Sequence, residues 1–475
     1  MSKNPYKEER DNFDELMAAY QELRSGNSIS YIDEEGFERI IEYFSENEKF
    51  NEAFEAVEFA LSQFSYSSSL LTQKADVLVS LKRFEEALFT LDKALIFDSQ
   101  DPLIYIIRTD ALLALDREEE ATELLKEALE KFDGIEKVNL LFELADIYDD
   151  YEMFDSVFDC LRMILRIDSG NEEALYKICF WTDYTGRNEE GIRLHQDLIE
   201  ENPFNELAWF NLGASYQGLK LYEKAIDAYQ YAVAINEKFD YAYRNMGDAF
   251  IKLKKYKEAI EVLERVLELS VPESVIYEAI GHCYNKLKKY PQARFKYKKA
   301  SHLNQEDSQL HYKIACTYMS EQKWDNAIKS LLIALKFHVM QPEYNLAIGK
   351  CYLQTGEYDE AILHLSNVVK ARPKNANGWS ELLNCLFYSK QFEDGYEYAS
   401  HAYEVTGGKP IFLFYKVAFL LETGQSKQAI LYLEYALSLS PNLIKLLIEI
   451  NPAILQNQQV IDLIARHKKK SSRKK

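Results

Sequence analysis

Glycine and proline are scarce in this chain, at 17 and 10 of 475 residues. That excludes a linker-rich protein and suits packed helices. Cysteine is scarce as well. Cys160, Cys179, Cys283, Cys316, Cys351 and Cys385 lie far apart, and none forms a CxxC pair. Buried, reduced thiols in a cytoplasmic protein are the expectation. No stretch approaches the ~20 apolar residues that cross a bilayer. The N-terminus, MSKNPYKEERDNFDEL, is polar and offers neither an apolar signal core nor a lipid-attachment cysteine. No membrane insertion is expected. A nucleophile elbow, an HExxH pair and a DxDxDG loop are all missing. Gly213–Lys220, GASYQGLK, lacks the Gly-Lys-Ser/Thr ending of a phosphate loop. His282 and Cys316 are two soft side chains where zinc usually needs four ligands. No catalytic residue, metal, cofactor or small-molecule substrate is expected.

What the chain has in abundance is period. Frames of 34 residues open at Glu34, Ser68, Pro102, Val138, Glu172, Glu206, Asp240, Ser274, Ser308, Pro342, Ala376 and Pro410, with one step, Pro102 to Val138, stretched to 36. The twentieth place of the frame is alanine in nine of twelve copies, from Ala53 to Ala429. Ordinary composition would give about one. The twenty-seventh place is alanine in eight copies, Ala60 to Ala436. A fixed period predicts a solenoid, whose hairpins contact only their neighbours.

One copy shows how the period works. In Glu206–Phe239, apolar residues recur at helical spacing in two runs, separated by Gly218-Leu219-Lys220-Leu221. Each copy therefore reads as a helical hairpin. Gly213 removes a side chain where the two helices press together, and Ala225 and Ala232 do so against the next hairpin. Trp209, Tyr216 and Tyr229 fill the space around those contacts. The pattern Trp209-x-x-Leu212-Gly213-x-x-Tyr216 with Ala225, Tyr229 and Ala232 resembles the tetratricopeptide repeat. Tyr243, Gly247, Phe250 and Ala259 continue it, as do Gly281, Tyr284, Ala293, Gly349, Tyr352, Ala361 and Pro373. The resemblance covers about twelve tandem copies. It implies an all-α, right-handed α-solenoid, a superhelix of hairpins whose first helices line a concave groove. It says little about the ligand.

The expected organisation is a capping helix in 1–33, an acidic array with irregular repeats in 34–203, a regular array in 204–443, a capping helix in 444–465 and a basic, disordered tail in 466–475. Val157, Ile164, Gly191, His195 and Leu198 depart from the repeat's usual residues. Altered curvature is expected over 133–203, or ordinary drift absorbed by repacking.

Charge is divided. Residues 1–200 hold 20 basic and 47 acidic side chains, and residues 201–475 hold 36 and 30. If first helices line the groove, its early part carries Asp76, Asp110, Asp146, Asp149, Asp150 and Asp183. Tyr176, Phe180, Tyr184, Phe210 and Tyr241 follow, then Arg244. A concave surface of one sign concentrates field, and aromatic rings stack on cations. The expected function is a non-enzymatic scaffold holding a basic or aromatic peptide or protein surface in that groove. The alternative for the acids is solubility alone. Family members that grip acidic C-termini use a Lys/Arg/Asn clamp, and here Asp248 and Ala279 interrupt it. A second patch, Lys252, Lys254, Lys255, Lys257, Lys286, Lys288, Lys289, Lys296, Lys298 and Lys299, suggests nucleic-acid association, helped by the basic tail, or a solvated face. A third alternative is an adaptor that self-associates through apolar end faces.

Overall fold

The computed structural model describes residues 5–25 and 31–472. Helices account for every regular element among the described residues, and consecutive helices run antiparallel. The chain divides into two compact units, 1–237 and 238–475.

In the first unit, α1 (Pro5–Arg24) precedes six hairpins: α2 (Glu34–Glu46) with α3 (Phe50–Gln63), α4 (Ser68–Ser80) with α5 (Phe84–Phe97), α6 (Pro102–Leu113) with α7 (Glu118–Ala128), α8 (Gly134–Asp150) with α9 (Phe154–Ile167), α10 (Glu172–Tyr184) with α11 (Asn188–Glu201), and α12 (Glu206–Gly218) with α13 (Tyr222–Ile235). The second unit holds α14 (Asp240–Lys252) with α15 (Tyr256–Leu269), α16 (Ser274–Lys286) with α17 (Tyr290–Leu303), α18 (Ser308–Ser320) with α19 (Trp324–Phe337), α20 (Pro342–Thr355) with α21 (Tyr358–Ala371), α22 (Ala376–Tyr388) with α23 (Phe392–Val405), and α24 (Ile411–Glu422) with α25 (Ser426–Leu439). A short helix, α26 (Ile444–Ile450), and a longer one, α27 (Gln458–Ser472), complete it.

The hairpins owe their spacing to missing side-chain volume. A Cβ added at Gly213 would stand 2.5 Å from the Tyr229 ring. At Gly281 it would meet Tyr297 at 2.7 Å, and at Gly349 it would meet Leu365 at 2.6 Å. Ala53, Ala87, Ala121, Ala225, Ala259, Ala293, Ala327, Ala361 and Ala429 are all completely buried. Crossings this close leave no room for an added methylene.

Seven of the twelve first helices start on a side-chain cap, as where Asn205 accepts from the Ala208 N–H and Asp33 from Gly36. Second helices start directly from the turn. In the turn after α12, the Lys220 N–H donates to Gln217 and the Leu221 N–H to Tyr216, with Lys220 at φ +61°. This closes the orphan carbonyls of the helix end. The same left-handed turn residue recurs at Glu48, Lys82, Asp116, Glu152, Lys254, Lys288, Gln322 and Lys390, and as glycine at Gly186, Gly356 and Gly424.

The two extra residues between Pro102 and Val138 are taken up locally. α7 shortens to 11 residues and α8 lengthens to 17, starting at Gly134, whose φ is +60°. In the next hairpin α11 packs chiefly on α12 and only lightly on α10. His195 occupies the place that Tyr229 and Leu263 hold in later hairpins. It is fully buried, and neither ring nitrogen has a hydrogen-bond partner.

Both ends are covered. α1 lays Tyr20 against Phe37 and Phe44, with centroids 6.4 and 6.1 Å apart. At the other end Leu447, Ile450, Ile454, Val460 and Leu463 join the core around α24. That explains why α24 is apolar on every face. The first compact unit takes in α12 and α13 and ends at Glu237, because α12 packs on α10 and α11. One expectation needs correction: the helix expected to stop at 465 runs on to Ser472. Lysine and arginine are good helix formers, and cations suit a helix C-terminus. Residues 473–475 lie outside the described residues.

Gly213→Ala should destabilise by about 1–3 kcal/mol through the clash with Tyr229. Lys220→Gly should stabilise by up to about 1 kcal/mol by relieving the left-handed turn. Urea midpoints of the two variants must move in opposite directions. A third expectation concerns acid. Burial pulls the His195 imidazole down to about 3, so the folded chain refuses a proton that the unfolded chain accepts. Stability is fully present above the ordinary imidazole value of about 6.5 and is lost as pH falls toward the folded value. His195→Leu should flatten that loss, read as slower amide exchange in α11 at pH 4.5 than in the wild type.

A candidate partner groove in the first unit

The first helices α4, α6 and α8 touch one another in sequence, as do α10 and α12, so they form a layer distinct from the second helices. On that layer Asp76, Asp110 and Asp146 are all exposed. Their neighbouring walls nevertheless strip away water. Burial raises the Asp76 carboxyl above its ordinary value. Burial and then Asp76 raise Asp110. Glu143 is raised by burial and by Asp110 and Asp146, with Lys177 opposing. The carboxylates therefore form an interacting row across α4, α6 and α8. Like charges brought together cost stability. Asp149 and Asp150, exposed at the C-terminal end of α8, face the negative end of the helix dipole.

One cation is built into the row. The Lys177 ammonium lies 2.9 Å from Glu173 and 3.6 Å from Asp146, and 5.1 Å from the centroid of the Phe142 ring. Neither Glu143 nor Lys177 is evident from the repeat positions assigned to the groove.

Beyond the row, α10 presents Tyr176, Phe180 and Tyr184 on one face, exposed by 62, 59 and 59%. Phe180 and Tyr184 stack at 5.7 Å, and Tyr184 meets Phe154 edge-on at 4.9 Å. Trp181, buried behind them, stacks on Phe154 at 5.2 Å. The stripe is thus a rigid aromatic surface braced from beneath. Asp183 is exposed beside it. Phe210 differs: it is half-buried, with its ring 5.7 Å from Tyr229, and belongs to hairpin packing.

Tyr241 and Arg244 stand on α14, in the second unit. Arg244 grips Glu273 through two bonds of 3.1 and 2.7 Å, with its guanidinium 5.8 Å from the Tyr241 centroid. It is engaged within its own unit. His282 is half-buried with its proton affinity lowered by burial and by Lys286 and Lys313. Among the described residues, no group of three or more His, Cys, Asp or Glu side chains is placed to hold a metal ion. All six cysteines are free. Burial pushes the Cys160 thiol up to about 12 and Cys179 to about 11, away from the thiolate a nucleophile needs. No described helix is long and apolar enough to cross a membrane.

Residues 183–238 and 342–375 match family models of the tetratricopeptide repeat. Residues 215–348 match a model described as the tetratricopeptide repeat protein 21 C-terminal ARM domain. No curated protein matches the chain. Among solved structures, YrrB, described as a TPR protein with an unusual peptide-binding site, is 18% identical. The match covers 39% of this chain and 95% of that one, with a TM-score of 0.35. The APC/C hetero-tetramer Cut9–Hcn1 is 13% identical over 84% of this chain and 96% of that one, with a TM-score of 0.33. The C-terminal part of a TPR repeat-containing protein from Cytophaga hutchinsonii is 16% identical over 54% of this chain and 99% of that one, with a TM-score of 0.42. The matched repeat models, the 34-residue period and the dozen helix hairpins make this chain a tetratricopeptide-repeat protein.

Proposed function

We propose that the chain is a non-enzymatic protein-interaction scaffold whose first unit takes a basic segment carrying aromatic or apolar residues. Tetratricopeptide repeats mediate protein–protein interactions. The observation that carries the finer reading is the row Asp76, Asp110 and Glu143, held at raised proton affinity, with Asp146 beside it and the exposed stripe of Tyr176, Phe180 and Tyr184 beyond. Packing alone does not need such a row, since mutual repulsion works against the fold. A cationic ligand would relieve it. Its lysines or arginines would pair with the carboxylates, and its flat or apolar groups would lie on the rings. Asp149, Asp150 and Asp183 extend the negative field around the stripe. An interface of roughly 1,200–2,000 Å² would suffice for specific binding. Six free thiols suit a reducing compartment, and we place the scaffold in the cytoplasm.

A fluorescein-labelled peptide of alternating arginine and phenylalanine provides the probe, read by anisotropy. Asp76→Asn, Asp110→Asn and Asp146→Asn together should weaken its binding by about ten-fold or more, and added salt should imitate the loss. Equal affinity and equal salt response in wild type and variant would reject this reading. Asp76→Asn together with Asp110→Asn should raise the melting temperature, because burial disfavours both charged carboxylates and Asp76 opposes Asp110. Binding should also fade on acidification before ordinary carboxylates titrate. The raised proton affinity of Asp76, Asp110 and Glu143 means that these groups lose charge at higher pH than ordinary carboxylates.

A further inference from the structure

The second unit carries a cationic edge of different design. In the first unit, each arginine directly after the left-handed turn residue is neutralised by a glutamate three places on. Arg83 holds Glu86 at 2.8 and 2.6 Å, Arg117 holds Glu120 at 2.8 and 2.6 Å, and Arg187 holds Glu190 at 2.8 and 2.7 Å. In the second unit lysine takes this place at Lys255, Lys289 and Lys323; Lys323 pairs with Glu321 at 3.1 Å, which leaves Lys255 and Lys289. The place three residues on is Glu258 in one copy and Gln292 in the other. Neither lysine is in an ion pair among the described residues. The turns between α14 and α15 and between α16 and α17 expose Lys252, Lys254 and Lys255, and Lys286, Lys288 and Lys289, at matching places in successive hairpins. None of the six has a carboxylate partner among the described ion pairs. Of the other lysines of the patch, Lys257 and Lys298 are exposed as well, but two are engaged. Lys296 is tied to Glu264 at 3.0 Å, and Lys299 lies over Tyr277 and Phe295 at 5.3 and 5.0 Å.

We propose that these two turns form a contact surface for the phosphate backbone of double-stranded nucleic acid. Lysine supplies point charges without the planar fork that arginine offers to carboxylates and base edges. That favours sequence-independent phosphate contact. Tyr256 and Tyr290, the aromatics nearest the turns, are half-buried in their hairpins. The edge therefore lacks the stacking platform that single strands use. Leu253 and Leu287 are likewise half-buried, leaving little to insert into lipid. The excess of 27 carboxylates over basic groups in residues 1–200 repels a polyanion, so the contact is confined to the second unit.

The test uses the full chain and a fluorescein-labelled DNA duplex of mixed sequence, titrated at several salt concentrations. Affinity should fall with salt at a slope of about −0.9 for each phosphate neutralised, hence about −5 for six lysines. Changing all six lysines to glutamine should lower affinity at least ten-fold and flatten the slope. The six-arginine variant should keep it, which separates charge from folding. Equal binding of a duplex of scrambled sequence is part of the expectation. The proposal fails if wild type does not bind duplex at low salt, or if the glutamine variant binds as wild type does. It also fails if these lysines serve polyglutamate, phosphatidylserine vesicles or a second copy of this chain in preference to the duplex.

Discussion

Close approach of helices at glycine and alanine is the constraint on which everything else hangs. Within a hairpin, the glycine of the first helix meets a large residue of the second, Gly213 with Tyr229 and Gly281 with Tyr297. The buried alanines keep the second helix equally close to its surroundings. Because the same volumes recur every 34 residues, the helices of each unit fall into layers of first and second helices. The layer of first helices is what turns isolated aspartates, spaced 34 and 36 residues apart in sequence, into a row that shares an electrostatic environment. Packing geometry thus converts sequence period into a charged surface.

The fold was highly legible. Ten of the twelve opening residues read from the period, among them Glu34, Ser68, Glu172, Glu206 and Pro342, are the first residues of helices; Val138 lies inside α8 and Pro410 just before α24. Small residues at a close crossing are a steric demand, and such demands are written locally. The candidate groove was legible only in part. Position in the repeat indicates which face a residue occupies, and this found Asp76, Asp110 and the α10 aromatics. It does not tell what reaches across from a neighbouring hairpin. Lys177 bridging to Asp146 and Glu143 joining the row are lateral relations between repeats, invisible to a template built along one of them. A sixth place in the first helix occupied by Glu143 and Lys177 was the available signal. Arg244 shows the converse: a cation aimed at the groove by register is captured by Glu273, which lies just before the next helix.

The two units handle charge in opposite ways. In the first, turn arginines are neutralised by glutamates, while of the first-helix aspartates Asp76, Asp110 and Asp146 only Asp146 meets a cation, Lys177. In the second, helix lysines such as Lys296 and Lys313 are paired with Glu264 and Glu278, while the lysines of the two turns after α14 and α16 are in no described ion pair. Net charge over the whole chain hides this division, since it adds surfaces that no single ligand would meet together.

The left-handed residue of the turn has one more implication. Its backbone shape is fixed by hydrogen bonds from its own and the following N–H, while its side chain projects into solvent and packs on nothing that holds the hairpin together. Lysine, glutamate, aspartate, glutamine and glycine all occupy it in this one molecule. Each hairpin therefore carries a vacant label, whose sign can be rewritten by a single codon without disturbing the architecture beneath. A repeat array so built can diversify its outer identity far faster than its frame.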